Sequence, residues 1–446
     1  MMDFSKQKPE ALINAQHPCA CGKTHSTTLQ YLKVGAGAVR YLKEAMDRLS
    51  VARPFIVCDR HTYAAAWRYV EPVLKADAIP YTLHTLPMDH PEPDEHTMGE
   101  LVMAFDPACD VVIALGSGVI NDCCKVLAHA VSKPGMVICT APSMDGYASN
   151  SSSMIRARVK VSLYNDCPTA ILADTQILMD APERMLQAGF GDMIAKYVSV
   201  CEWRISHLVV GEYYCENIAG LVRASLKKVV DVAPGLARRD PAAVEATVEG
   251  LILSGIAMSF AQISRPASGL EHYFSHLWEM MALDRGQLSD LHGIQVGVGT
   301  FLTLRLHNHM RTIVPDRAGA LAFVESFSNA EWEEQTRAIC GKAAETIITQ
   351  EHTQYHKNDA ALHAKRLDRI IAGWPTILGI IEEELPDADA LEKLGKRIGM
   401  PTTPAELNLS RQDVYNAFLA SRDIRDKYLT SSLLWDLGLL YEVPVQ

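Results

Sequence analysis

Apolar and polar positions follow two different rhythms along the chain. Over about the first 175 residues, short apolar runs alternate with segments whose apolar positions recur every three or four residues, the pattern of a parallel sheet covered by helices. The runs predict strands over residues 28–34, 54–58, 81–86, 110–115 and 136–140, and the segments between them predict helices over 36–49, 62–75 and 96–105. Residues 152–163 and 169–173 alternate apolar and polar positions around the turn-like stretch from Tyr164 to Pro168, which predicts a hairpin at the edge of the sheet. From Asp180 onward the segments are longer and amphipathic. Helix-start signals stand at Asp180, Pro182 and Glu183 and again at Asp240 and Pro241, and Pro234 with Gly235 forms a break. Helices are expected over 242–263, 289–310, 330–349 and 362–372, with no strand in this half. The expected architecture is an α/β domain over residues 1–179 followed by an all-helical domain over residues 180–446.

Composition narrows the function classes. With 446 residues, 48% of them hydrophobic, the chain can fill more than one core. The 42 Lys+Arg residues against 53 Asp+Glu give a net charge of -11, and with no basic run this disfavours nucleic acid. The opening MMDFSKQKPEALINAQ lacks a signal-peptide core, and no stretch reaches the run of about eighteen uninterrupted apolar residues of a membrane span, so a cytoplasmic protein is expected. Several of the eleven cysteines (Cys58, Cys109 and Cys139 among them) lie in apolar segments and read as reduced core residues rather than a disulfide framework. Cys19, Cys21 and His25, beside His17, have ligand chemistry but show only half of a four-ligand set. They read first as a polar loop, with a small peripheral metal site as the alternative.

Candidate chemistry lies in three places. The apolar run ending at Leu115 leads into Gly116, Ser117, Gly118, Val119 and Ile120 and then a helix, a turn whose free N–H groups suit a pyrophosphate. Alone, such a turn reads equally as an ordinary strand-to-helix connection, because Asn121 stands where a third glycine is usual. Asp59, at the end of an earlier strand, suits a ribose and favours NAD over NADP, or else caps the next helix. Thr140, Ser143, Asp145 and Ser149 lie on a loop shaped by Pro142 and Gly146 beyond a further strand. In the helical half, Asp192 is read at the head of a helix, His272 and His276 share one helical face, and His292 precedes Gly293. One carboxylate with two imidazoles is a frequent ligand set for a catalytic divalent ion, with zinc the best match and nickel, iron or cobalt admissible.

In this order, the segments GSGVINDCCK (116–125), TAPSMDGYASNSS (140–152), GFGDMIAKY (189–197), SRPASGLEHYFSH (264–276) and HGIQVGVGT (292–300) resemble the sn-glycerol-1-phosphate dehydrogenase branch of the iron-containing alcohol dehydrogenase superfamily. The resemblance implies a Rossmann-like parallel-sheet domain followed by a helical one, as in dehydroquinate synthase. It implies metal ligation by Asp192, His272 and His292, substrate contacts from His276 and Asp145, and NAD(P) contacts from Gly116, Ser117, Gly118, Val119, Ile120, Asp122, Thr140, Ser143 and Ser149. Ser117 departs from the further glycine that many relatives carry.

The implied reaction is metal-assisted, NAD(P)-dependent interconversion of dihydroxyacetone phosphate and sn-glycerol 1-phosphate, a step of phospholipid metabolism, by a homo-oligomer, with a dimer expected. Arg156, Arg158, Lys160 and Arg265 are candidate phosphate contacts. The competing readings are a glycerol or other polyol dehydrogenase of the same superfamily, acting on an unphosphorylated substrate, and a non-catalytic metal- or nucleotide-binding relative.

Overall fold

The computed structural model describes residues 2–157 and 159–445. Ten strands are found among them: β1 (His17–Pro18), β2 (Thr24–His25), β3 (Tyr31–Gly35), β4 (Pro54–Cys58), β5 (Thr82–Thr85), β6 (Val111–Gly116), β7 (Gly135–Cys139), β8 (Ser151–Arg156), β9 (Val159–Tyr164) and β10 (Ala170–Asp174). Six form a parallel sheet in the order β3-β10-β7-β6-β4-β5. Every residue of β4, β6 and β10 is buried, as expected of strands covered on both faces. On one face Ile56, Ile113, Leu115, Ile138 and Leu172 pack with Trp67, Val70 and Leu74 of the Arg60–Ala76 helix.

The five expected strands all form, within three residues of their predicted ends. The expected edge hairpin does not form as predicted. Its two strands are β8 and β9, paired from Ser151↔Tyr164 to Arg156↔Val159, and the chain reverses after Arg156, where Ala157 takes a φ of 50°. The stretch from Tyr164 to Pro168 instead leads into β10, an interior strand between β3 and β7. Thr169 N–H donates to the Gly135 carbonyl (2.7 Å) and sets that register. The turn lacked the Gly, Asn or Asp that marks such a reversal, whereas the Asn-Asp-Cys-Pro stretch that does carry turn residues is a connection. Among the described residues, no strand follows β10.

The chain divides into two compact units. The first comprises residues 1–193, 215–267 and 397–400, and the second residues 194–214, 268–396 and 401–446. The last strand of the sheet, β10, ends at Asp174, ahead of the boundary expected at residue 179, and the first unit runs past that boundary to residue 193 and also takes in the Glu216–Val232 and Pro241–Ala261 helices. Asp240 Oδ1 accepts the Ala242 N–H (2.9 Å), and Pro241 stands in the first turn, so the Pro241–Ala261 helix starts where its signal predicts. It is long and apolar enough to cross a membrane, yet 89% of its most apolar window is buried within the protein, and it packs against Glu216–Val232 as a core helix.

In the second unit the Leu270–Arg285 and His292–Met310 helices pack side by side. The helix expected over 330–349 is interrupted at Gly341 (φ 50°), leaving Asn329–Cys340 and Ala344–Gln350. Glu202 organises the amino end of Leu270–Arg285. One carboxylate oxygen accepts the Leu270 N–H and the other the Thr430 N–H, each at 2.9 Å, placing negative charge at the positive end of the helix dipole. His307 lies under the same network, with Nδ1 2.8 Å from the Thr303 carbonyl and Nε2 3.0 Å from Thr430 Oγ1.

Burial holds the His307 imidazole down at about 4, against its ordinary value near 6.5. Between those values the unfolded chain binds a proton that the native chain refuses, so this group's contribution is present above pH ~6.5 and is lost as pH falls toward ~4. Denaturant unfolding is expected to show a loss of about 2 kcal/mol from His307 on going from pH ~7 to ~5. The His307→Gln variant should flatten that dependence; an unchanged slope in the variant would assign it to other groups.

Candidate active site

The glycine turn lies at the carboxyl edge of the sheet. Gly116 ends β6, and Ser117 is the extended residue ahead of the thirteen-residue helix Gly118–Ala130. A Cβ on Gly116 would fall 2.5 Å from Ile120 Cβ, so a side chain there cannot coexist with this turn. A Cβ on Gly118 would meet only Met144, at an ordinary 3.5 Å. The protein's own packing therefore explains the first glycine and not the second, as expected where a ligand rather than the protein comes close to the backbone. Asp59 stands at the end of β4, the neighbouring strand, and does cap the Arg60–Ala76 helix. Its Oδ1 accepts the Thr62 N–H (2.7 Å), and Thr62 Oγ1 accepts the Asp59 N–H (2.9 Å).

The loop after β7 is held from both sides. Thr140 N–H donates to the Gly116 carbonyl (3.1 Å), joining loop to turn. Lys125, buried in the Gly118–Ala130 helix, donates to the Gly146 carbonyl (3.1 Å) and to Ser149 Oγ (3.2 Å), and lies 3.2 Å from the Asp122 carboxylate. Asp122 Oδ2 also accepts the Ser153 N–H (2.9 Å). Asp122 and Ser149 thus bind the loop and the start of β8 to the helix. Sequence reasoning missed Lys125, whose only signal is its place on the helix that follows the glycine turn. Ser143 is buried in the same loop.

Asp192 is not at a helix head, as the glycines before it suggested. The helix begins at Glu183, after the Asp180–Pro182 start signal, and runs to Val210. Gly189 serves close packing instead, since a Cβ there would lie 1.8 Å from the Pro142 carbonyl oxygen. One turn on, the fully buried Asp192 accepts the Asp145 N–H through Oδ2 (2.9 Å), while Asp145 Oδ2 accepts the Ser254 hydroxyl (2.9 Å). Two carboxylates expected from different parts of the sequence are therefore joined through one backbone N–H. Ser254, which fixes the orientation of Asp145, carried no sequence signal. A separate concavity of about 830 Å³, lined by Gln30, Gly135 and Thr169 among others, lies at the amino ends of β3, β7 and β10, the opposite edge from the turn.

In the second unit three imidazoles gather. Ring centroids lie 5.3 Å apart for His272 and His292, 5.6 Å for His276 and His292, and 6.4 Å for His272 and His276. His272 Nδ1 donates to Glu271 Oε1 (2.8 Å), and the Gly269 N–H donates to the same oxygen (2.7 Å). That fixes the tautomer and leaves Nε2 as the lone-pair nitrogen, the usual support of a metal-binding histidine. Ser275 Oγ lies 3.0 Å from His292 Nδ1. Glu279, unmentioned by the sequence reasoning, lies one turn beyond Ser275. It brings a carboxylate 3.3 Å from His292 Nδ1 and 3.8 Å from His276 Nδ1, and ligand atoms of His276, Glu279 and His292 all fall within 4.8 Å of one another.

A family model described as iron-containing alcohol dehydrogenase matches residues 33–182. Over 295 residues the chain is 35% identical to the glycerol-1-phosphate dehydrogenase [NAD(P)+] of Halalkalibacterium halodurans, spanning 65% of this chain and 74% of that one. The chain belongs to the iron-containing alcohol dehydrogenase family. A second relative, glycerol-1-phosphate dehydrogenase [NAD(P)+] of Bacillus licheniformis, is 28% identical over 426 residues and covers 95% of this chain and 93% of its own. Among solved structures, glycerol dehydrogenase from Schizosaccharomyces pombe superposes with a TM-score of 0.60 at 16% identity, covering 92% of this chain and 88% of that one, which shows that the family fold is shared.

The contrast between the two turn glycines generates a test. Gly118→Val is expected to leave thermal stability near that of the unsubstituted chain and, if a pyrophosphate binds at this turn, to raise the apparent cofactor constant at least tenfold, because the added side chain would occupy the space beside the backbone. Cofactor titration by nicotinamide fluorescence reads the effect, and unchanged binding would remove the turn from the site.

Proposed function

We propose that the chain is an NAD(P)-dependent, metal-dependent oxidoreductase that interconverts dihydroxyacetone phosphate and sn-glycerol 1-phosphate in the cytoplasm, as a homodimer. The observation that carries this reading is the imidazole cluster, whose first histidine is already oriented by Glu271 as a ligand would be. The kinship with glycerol-1-phosphate dehydrogenases supports the choice of substrate.

The donors fit a divalent cation. His272 and His292 offer borderline nitrogen ligands and the buried Asp192 a hard carboxylate, a set that suits zinc and admits nickel or iron. When bound, the cation supplies Lewis acidity at the substrate oxygen and the reduced nicotinamide supplies the hydride. The chain's own residues do the rest. The N–H groups of Gly118, Val119 and Ile120, in the first turn of their helix, hold the pyrophosphate, with Ser117, Thr140 and Ser143 as further cofactor contacts. Asp122 and Ser149 act by holding the loop through Lys125. Asp59 keeps a carboxylate at the end of β4, which favours NAD over NADP. Asp145, oriented by Ser254, binds a substrate hydroxyl, and His276 contacts the substrate and passes a proton to its oxygen. For the phosphate, Arg265 is the leading cation because it is buried, where a charge-assisted contact is strongest; Arg156 is exposed, Lys160 is half-buried, and Arg158 lies outside the described residues.

A second ligand set has an observation of its own. The mutual approach of His276, Glu279 and His292 favours an ion one helical turn further along. Metal analysis of desalted alanine variants separates the two. Asp192→Ala, His272→Ala and His292→Ala are each expected to lose one bound ion per chain relative to the unsubstituted protein, and turnover with it, while His276→Ala keeps the full metal content and loses turnover. If the His276 and Glu279 variants lose the ion and His272→Ala keeps it, the second set is the site; if every variant keeps metal and activity, neither is.

The substrate reading predicts that dihydroxyacetone phosphate is preferred over dihydroxyacetone by at least tenfold in kcat/KM, about 1.4 kcal/mol, which one charged contact supplies. NADH oxidation with each ketone measures this. Equal efficiencies would favour a polyol dehydrogenase acting on unphosphorylated substrates.

A further inference from the structure

The polar amino-terminal cluster finds its missing partner 190 residues away. β1 and β2 form a small antiparallel hairpin in the register His17↔His25, whose turn is closed by Cys19 N–H to the Lys23 carbonyl (3.0 Å) and Gly22 N–H to the Cys19 carbonyl (3.1 Å), with Gly22 at a φ of 84°. This knuckle turns the side chains of Cys19, Cys21 and His25 toward Cys215, the residue ahead of the Glu216–Val232 helix, and all four belong to the first compact unit. We propose that Cys19, Cys21, His25 and Cys215 form a structural zinc site, separate from the catalytic metal.

The distances are those of a tetrahedron. With Zn–S about 2.3 Å and Zn–N about 2.0 Å, tetrahedral ligands lie about 3.8 Å apart for two sulfurs and about 3.5 Å apart for sulfur and nitrogen. Here Cys19 Sγ to Cys215 Sγ is 3.6 Å, Cys21 Sγ to His25 Nε2 is 3.3 Å, and Cys215 Sγ to His25 Nε2 is 3.7 Å. The four ligand atoms all fall within 4.8 Å of one another. The histidine is set for ligation, since Nδ1 donates to the Phe260 carbonyl (2.9 Å) and so leaves the Nε2 lone pair directed at the sulfurs. His25 and Cys215 are buried, and the Phe4 ring packs edge-on against His17 and His25 and against Phe260, which shields the cluster. A Cys19–Cys215 disulfide would need sulfurs about 2.05 Å apart. The bound ion would fasten the amino-terminal segment to helices that follow the sheet in sequence.

The test uses the full chain. After reduction and desalting, elemental analysis should find one zinc per chain that persists in the His292→Ala variant and is lost from Cys21→Ser and from Cys215→Ser. Should those variants fail to fold, the unsubstituted protein still decides. Replacement of its zinc by Co²⁺ should give sulfur-to-cobalt charge-transfer absorption with intense tetrahedral bands, and zinc should protect Cys19, Cys21 and Cys215 from iodoacetamide at least tenfold. Equal alkylation of these cysteines with and without zinc, absence of the charge-transfer band, or recovery of Cys19 and Cys215 as a disulfide-linked peptide would overturn the proposal.

Discussion

The Pro142 carbonyl oxygen occupies the space where any residue but glycine at position 189 would place its Cβ. This approach of loop to helix sets the geometry of the first unit's site. It brings the loop after β7 flat onto the Glu183–Val210 helix, and three residues further along each chain the Asp145 N–H meets the Asp192 carboxylate. Lys125 anchors the other side of the same loop through Gly146 and Ser149, and the Thr140 N–H ties its beginning to the glycine turn. The glycine turn, the loop after β7 and the buried Asp192 are thereby parts of one hydrogen-bonded assembly. A buried carboxylate is costly unless it is satisfied, and Asp192, fully buried, accepts the Asp145 N–H.

The second unit solves a similar problem with imidazoles. Glu202 and Glu271 place carboxylates at the amino end of the Leu270–Arg285 helix, where the dipole favours negative charge, and Glu271 passes that charge on to His272 through a short hydrogen bond. The acids near the histidines therefore have different roles. Glu271 and Glu202 orient the helix and its first imidazole, whereas Glu279 lies among the ligand atoms of His276 and His292.

Legibility in the sequence followed the kind of signal each feature carries. The sheet was readable because β4, β6 and β7 are continuous apolar runs, which a doubly covered parallel strand must be. β10 was misplaced because its apolar run stands close after turn residues that turned out to connect rather than reverse, while the true reversal at Ala157 has no turn residue to announce it. His272 and His276 were legible as a pair from helical spacing, whereas His292, on the next helix, was linked to them only through the family resemblance. Lys125 and Ser254 were not, since each ties its helix to the loop after β7, distant in sequence, and Glu279 was not, since it joins His276 on its own helix to His292 on the next. The same holds for Cys215, which no spacing rule links to Cys19, Cys21 and His25, although it completes their set. Asp192 shows the opposite failure, in which an acid preceded by glycines imitates a helix cap while Gly189 serves close packing.

The proposed reaction is hydride transfer to the carbonyl carbon of a phosphorylated three-carbon ketone. Its most direct test follows the atom itself, by incubating the metal-loaded enzyme with dihydroxyacetone phosphate and NADH carrying deuterium at C4 of the nicotinamide and reading the product by NMR. With NADH deuterated on one or the other face of C4 in separate reactions, one form is expected to place one deuterium on the carbinol carbon of sn-glycerol 1-phosphate for each NADH oxidised and the other form none. Product without label at that carbon from both forms of NADH, or no net oxidation of NADH while the ketone is present, would contradict it.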